Sequence, residues 1–228
     1  MVQNIVQHTL PPLPVALLAL AGYSTVGKDT LITELAKHYH FKVLSAGHVF
    51  KAELMARYGL GPEHVFGNGP LRNAPHPKLP KIDLPQNLAA HRQGLPTLTG
   101  TRHMSPREAE LMLQAAMPVS HVVWANLKAL KSLLAEDVAV VFNGYRFPEQ
   151  HAMLGQCKAK LGQQDRRVVR LKLISPQVPE PVPHSRHDDL LDSAAFEGFI
   201  WNDKTLHPSA MLRQLSLIVA QMTKAPLF

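Results

Sequence analysis

Residues 17–35 read LLALAGYSTVGKDTLITEL, and this stretch restricts what the chain can fold into more than any other. An unbroken apolar run, preceded by Pro11, Pro12 and Pro14 and closed by Gly22, has the character of a strand buried on both faces. KDTLITELAKHYH then carries Leu31, Leu35 and Ala36 at helical spacing. Between the two lie a glycine, four residues, Gly27 and Lys28. A buried strand, a glycine turn and a helix in this order start a parallel α/β sheet, not a helical bundle or a β-sandwich.

The rest of the chain continues that alternation. FKVLSAG reads as a second strand and HVFKAELMARYG as a helix closed by Gly59. SPRE at 105–108 is a capping box with proline at the first helical position, so a helix is expected through AELMLQAAM. VVWANLKALKSLLAED (helix), VAVVFNG (strand), PEQHAMLGQCKAKLG (helix) and RRVVRLKLIS (strand) follow, and DDLLDSAAFEGF and PSAMLRQLSLIVAQM read as late helices. Residues 61–104 break the pattern: Pro62, Pro70, Pro75, Pro77, Pro80, Pro85 and Pro96 recur and periodicity is lost. Here Arg72, Lys78, Lys81, Arg92 and Arg102 are set against Glu63 and Asp83 alone. A stretch this long inside a compact domain is functional or disordered, and a basic, substrate-facing insertion within a single domain of residues 1–228 is expected.

Composition narrows the class. At 228 residues the chain can bury one full core. The single cysteine, Cys157, excludes an internal disulfide framework and a multi-cysteine zinc site, and reads as a reduced thiol. The net charge of +7 favours polyanionic partners, nucleic acid above all, although total charge says nothing of its clustering. Residues 15–21 have no Lys or Arg upstream and run straight into the glycine turn, unlike a signal peptide, and no stretch reaches the ~20 apolar residues of a membrane span. A cytoplasmic protein with no membrane partner is expected.

The turn at 22–28 has the spacing of a phosphate-binding P-loop in the context its mechanism requires. Glycines let consecutive backbone N–H groups point at phosphate oxygens, and the following helix adds its positive end. Gly22, Tyr23, Ser24, Thr25, Val26, Gly27, Lys28, Asp29 and Thr30 are therefore the candidate nucleotide-binding residues, with Lys28 neutralising charge on the β- and γ-phosphates. The usual hydroxyl after the lysine is absent. Asp29 stands there and has two readings, a carboxylate ligand for Mg²⁺ or a helix N-terminal acid stabilised by the dipole. Thr30, one position late, is given a secondary role.

GYSTVGKDT, with SPREAELMLQ, VWANLKAL and VVFNGYRFPEQHAML downstream, resembles the phage deoxynucleoside monophosphate kinases and their P-loop relatives. The resemblance covers most of the chain outside the insertion. It implies a P-loop NTPase fold of the nucleoside-monophosphate-kinase-like type, with helices on both faces of a parallel sheet, and an ATP- and Mg²⁺-dependent kinase. The matching positions are Gly27-Lys28-Asp29-Thr30, Arg146-Phe147-Pro148-Glu149, Asp188-Asp189 with Asp192, and Asn202-Asp203. Two places depart from it. Relatives carry an aspartate two residues before the RFP arginine, where this chain has Gly144 with Asn143 as the nearest polar residue. Relatives also carry Arg-Pro after the RLKLI strand, where this chain has Ser175-Pro176.

The acceptor is read from what each class needs. A nucleoside monophosphate needs arginines to hold its phosphate, whereas a neutral hydroxyl benefits from a carboxylate that takes its proton. The resemblance embraces phage kinases that phosphorylate 5-hydroxymethyluracil already in DNA, and the basic excess, the basic insertion and the absent arginine before Pro176 put that modified DNA first. A free deoxynucleotide is the alternative acceptor, with Arg146, Arg107 and Arg186 as candidate phosphate ligands. A non-catalytic P-loop protein that binds nucleic acid is the third reading. Asp188 and Asp189 lead as acid or base, against an acidic first helical turn, and Arg146 holds a phosphate or pairs with Glu149. His76, His91 and His103 read as surface histidines first and as helpers second. Trp124 and Trp201 read as core residues first and as base-stacking residues second.

Overall fold

The computed structural model describes residues 3–4, 11–23, 25–66, 69–79, 103–162, 167–178, 191 and 194–223. Chain contacts divide it into two compact units, residues 1–46 with 123–228, and residues 47–122.

The first unit is an α/β layer structure around a sheet of β1 (Gln3–Asn4), β2 (Leu17–Ala21), β3 (Lys42–Ser45), β4 (Val140–Asn143), β5 (Val168–Ile174) and β6 (Gly198–Trp201). The order across the sheet is β1-β3-β4-β2-β5-β6; five strands are parallel, and the short β1 joins β3 antiparallel. Alternate residues of β2 face opposite layers, as the two-residue strand period requires. Leu18 and Leu20 join residues of α1 (Lys28–Leu35) and of the C-terminal helix Ser209–Thr223, while Leu17, Ala19 and Ala21 join Leu130, Leu133, Met153 and Leu154 from the helices Val119–Ala135 and Pro148–Gly162. All five β2 residues are buried, which explains their unbroken apolar run.

β2 lies between β4 and β5, and the chain leaves β2 toward β3 on one side and β5 toward β6 on the other. Adjacent strands whose connections diverge in this way open a crevice at their carboxyl ends. Gly22 sits at that end with φ 133°, and a Cβ there would lie 2.5 Å from the Leu173 carbonyl oxygen of β5. Only glycine lets the chain pass so close to its neighbour.

The stretch DDLLDSAAFEGF departs from the helical expectation. Its described residues Leu191 and 194–197 are turn and irregular chain, and Gly198 and Phe199 begin β6. A Cβ on Gly198 would meet Ile218 at 2.7 Å, and the β-prone Phe199, Ile200 and Trp201 pair with β5. Sheet pairing overrides the local pattern. Both tryptophans also depart from the core expectation: Trp124 is 59% and Trp201 52% exposed. The Lys128 ammonium lies 5.3 Å from the Trp124 ring, and the Gln214 side chain caps both backbone groups of Trp201 at 2.7 and 2.8 Å.

The second unit contains α2 (His48–Tyr58), α3 (Pro62–Val65), α4 (Pro70–Asn73) and α5 (Pro106–Ala116). Gly59 closes α2 in the left-handed conformation, and both halves of the Ser105–Glu108 capping box are formed. Leu54, Leu60, Val65, Leu79, Met104 and Met112 make its core, so the described ends of the proline-rich segment are packed structure. Residues 80–102, which include Lys81, His91, Arg92 and Arg102, lie outside the described residues. Arg72, expected among the outward basic charges, is instead buried and bonds Glu110 at 2.6 Å. Two residues from different helices pair their opposite charges there, because a lone charge in that core would be costly.

In chain order the three remaining helices are α6 (Val119–Ala135), α7 (Pro148–Gly162) and α8 (Ser209–Thr223). Glu197 ties β6 to β5 and α7, accepting hydrogen bonds from the Arg170 guanidinium at 2.7 Å, the Arg170 backbone N–H at 2.8 Å and Lys158 at 2.8 Å. Burial pushes its carboxyl up, but these bonds outweigh burial and hold it down at about 2. The folded-state value lies below the ordinary 4.5, so this stabilisation is complete above pH 4.5 and is lost as pH falls toward 2. Glu197→Gln is expected to cost about 3 kcal/mol at pH 7 and to flatten the acid limb of urea-unfolding stability over that window.

Candidate functional site

The glycine loop is built by the end of β2 and the start of α1. Gly22 and Gly27 have φ 133° and 100°, and Thr25 has φ 67° despite its β-branched side chain. A non-glycine residue held there costs about 1–3 kcal/mol, a strain characteristic of ligand-binding turns. Gly27 is the N-cap of α1 and offers no side chain to cap it, so the first-turn N–H groups face the loop without intrahelical partners. The half-buried Lys28 folds back over the loop, donating to the Gly22 carbonyl at 2.7 Å and the Tyr23 carbonyl at 2.6 Å. Its ammonium thus sits above the turn where an anion would be held.

Asn202, at the end of β6, reaches across and donates to the Val26 carbonyl at 2.8 Å. A Cβ on Gly27 would collide with this amide, so the glycine is required by tertiary contact as well as by its φ. The next residue, Asp203, accepts from the Thr205 N–H at 3.0 Å, the Thr205 hydroxyl at 2.8 Å and Gln177 at 2.9 Å. Those donors, the Thr205 backbone first, hold its carboxyl below the usual range. Gln177 in turn accepts from the Ser175 hydroxyl at 3.0 Å. Ser175, which stands where the resemblance carries arginine, is thus part of a polar link joining the turns after β5 and β6.

Asp29 is exposed on the first turn of α1 and accepts from Asn143 Nδ2 at 3.0 Å. Asn143 is the last residue of β4, paired with Leu20 of β2 and Ser45 of β3. Its Oδ1 is buried and has no hydrogen-bond partner among the described residues. Gly144 follows with φ 77°, so the position at which the resemblance carries aspartate is a left-handed turn that disfavours any side chain. The strand-end polar group at this edge is Asn143.

The other candidates are dispersed. Arg146 is half-buried beyond β4, where Gln150 accepts from its backbone N–H at 2.9 Å and from that of Phe147 at 3.1 Å. Arg107 belongs to α5 of the second unit, 3.7 Å from Glu110 in the ion pair with Arg72. Thr30 is exposed. Ser24, Arg186, Asp188, Asp189 and Asp192 lie outside the described residues. Among the described residues no group of three or more His, Cys, Asp or Glu could hold a metal ion. His76 touches His64 edge-on at 4.6 Å, and burial, then His64 and Lys78, lower its basicity. Burial raises the half-buried Cys157 thiol, which keeps it protonated and unreactive. No helix among the described residues is long and apolar enough to cross a membrane.

Sequence reasoning singled out the loop but assigned no role to Asn143 or Asn202. Asn202 stood in the Asn202-Asp203 match and Asn143 beside the missing aspartate, and one signal is common to both: each is the first polar residue after an apolar run, VAVVF and GFIW. No protein-family model matches the chain, and no curated protein matches it in sequence.

Asn202→Ala is expected to leave the buried Val26 carbonyl without its donor. The variant should lose about 1–3 kcal/mol in urea unfolding and exchange the amides of residues 22–28 faster than wild type.

Proposed function

We propose that the protein is a P-loop kinase that transfers the γ-phosphate of ATP to a nucleotide-type acceptor. The observation that carries this reading is the Lys28 ammonium held by the Gly22 and Tyr23 carbonyls over a loop of left-handed residues, at the sheet's crevice and at a helix N-terminus. Phosphate oxygens would take the place of those two carbonyls as Lys28 partners. The backbone N–H groups of the loop and of the first turn of α1 would hold the β-phosphate, and Asn202 would keep the loop in its curled form. Lys28 then stabilises negative charge as the acceptor oxygen bonds to the γ-phosphorus and the bond to the β–γ bridging oxygen breaks.

Asp29 offers one carboxylate, the kind of hard oxygen ligand a divalent cation takes, and Asn143 donates a hydrogen bond to it. Mg²⁺, when bound, would supply further neutralisation of the phosphate charge.

For the acceptor, the reading favours the hydroxymethyl group of 5-hydroxymethyluracil in DNA. The net charge of +7 suits a polyanion, and Ser175 stands before Pro176 in place of an arginine that would grip a free nucleotide's phosphate. Asp188 or Asp189 is proposed to take the hydroxyl proton, and a base in duplex DNA would leave its stack to react. A free deoxynucleoside monophosphate is the second reading, favoured by Arg146, which stands half-buried just beyond the carboxyl end of β4.

With γ-labelled ATP offered either hydroxymethyluracil-containing DNA or a panel of free deoxynucleoside monophosphates, wild type is expected to label the DNA. Lys28→Ala should lower that rate by at least about a hundredfold while keeping its circular dichroism. Label found only in free deoxynucleoside diphosphates would establish the second reading, and full transfer by Lys28→Ala would overturn both.

A further inference from the structure

Asp29 could reach a metal in many rotamers from an exposed first helical turn, yet it is held in one. The Asn143 amide donates to its Oδ1 at 3.0 Å from the end of a strand paired on both sides, so the donor sits on rigid scaffold. Gly144 turns away immediately afterwards with φ 77°, which leaves Asn143 as the last side chain the strand presents to this edge. The amide oxygen of the same side chain is buried and unpartnered among the described residues, a state that costs free energy unless ligand or solvent offsets it.

We propose that Asn143 is a metal-positioning residue: it orients the Asp29 carboxylate toward a divalent cation and adds no second negative charge beside it. The inference deepens the kinase reading and rests on it for the cation's use in phosphoryl transfer, not for the pairing of Asn143 with Asp29. An aspartate at 143 would place two carboxylates about 3 Å apart in the absence of metal and repel Asp29. The neutral amide attracts it instead. The loop is thereby held ready without a cation, and the remaining charge is left for the nucleotide phosphates to supply. Cation affinity by this design depends on bound nucleotide, because ligand charge count sets the strength of hard-cation sites.

The test uses Mn²⁺, which takes the same oxygen ligands and is read by its free-ion paramagnetic resonance signal, with the full chain and a non-hydrolysable ATP analogue. Wild type is expected to bind Mn²⁺ weakly alone and at least about tenfold more tightly with the analogue. Asn143→Asp should bind Mn²⁺ about tenfold more tightly than wild type without nucleotide. Its thermal midpoint should fall below wild type in chelator and recover on adding Mn²⁺. A gain of this kind is not produced by damage to packing. Asp29→Asn should lose the analogue-dependent Mn²⁺ binding while keeping its circular dichroism. Asn143→Asp folding as wild type but binding Mn²⁺ no more tightly would overturn the proposal, as would Asp29→Asn binding Mn²⁺ as wild type does. Failure of wild type to bind the analogue in chelator would instead remove the kinase reading, and the nucleotide-free Mn²⁺ comparison would still decide the role of Asn143.

Discussion

The hydrogen bond from the Asn202 amide to the Val26 carbonyl is the constraint on which the loop depends. Curled left-handed turns leave carbonyls pointing inward, and a buried carbonyl without a donor costs about as much as a lost hydrogen bond. Val26 is buried and Asn202 nearly so, and residues 176 apart in sequence meet there. The contact exists because β6 adds to the sheet beyond β5 and ends level with the loop. Gly27 must then lack a side chain, and Gly22 must lack one because β5 runs beside it. The glycines are spaced by their neighbours as much as by the ligand they would hold.

Charge at the site is arranged so that the protein tolerates it without a partner. Lys28 is satisfied by two carbonyls of its own loop, and Asp29 by a neutral amide at the end of β4. Each of these bonds is of a kind that a phosphate or a cation can replace. The same economy governs the second unit, where Arg72 and Glu110 neutralise each other within the packed helices, and the β5–β6 region, where Glu197 collects Arg170 and Lys158.

Much of the architecture was legible because the local signals are physical and short-range. The apolar run of β2, the Ser105–Glu108 capping box and the left-handed Gly59 each act within a turn or strand, and each formed where expected. β6 was not legible: Gly198-Phe199-Ile200-Trp201 becomes a strand by pairing with β5, and its preceding residues carry a helical pattern. Trp124 and Trp201 misled for a related reason, since hydrophobicity states a preference for burial but not which face of an element is covered. Arg72 read as one more outward cation because its partner, Glu110, lies 38 residues away.

The sequence by itself determined a strand, a glycine turn and a lysine-bearing helix in succession, since these follow from spacing and backbone freedom along one short segment. It also determined that the hydroxyl usual after the lysine is absent and that a carboxylate, Asp29, stands there. Only the tertiary structure decided that Asn143 serves as Asp29's partner and that Asn202 clamps the loop. Both side chains arrive from other strands, and their meeting depends on sheet order, which lies in no single segment of the chain. The opening stretch specifies its own fold, and the sheet around it specifies how its charges are held.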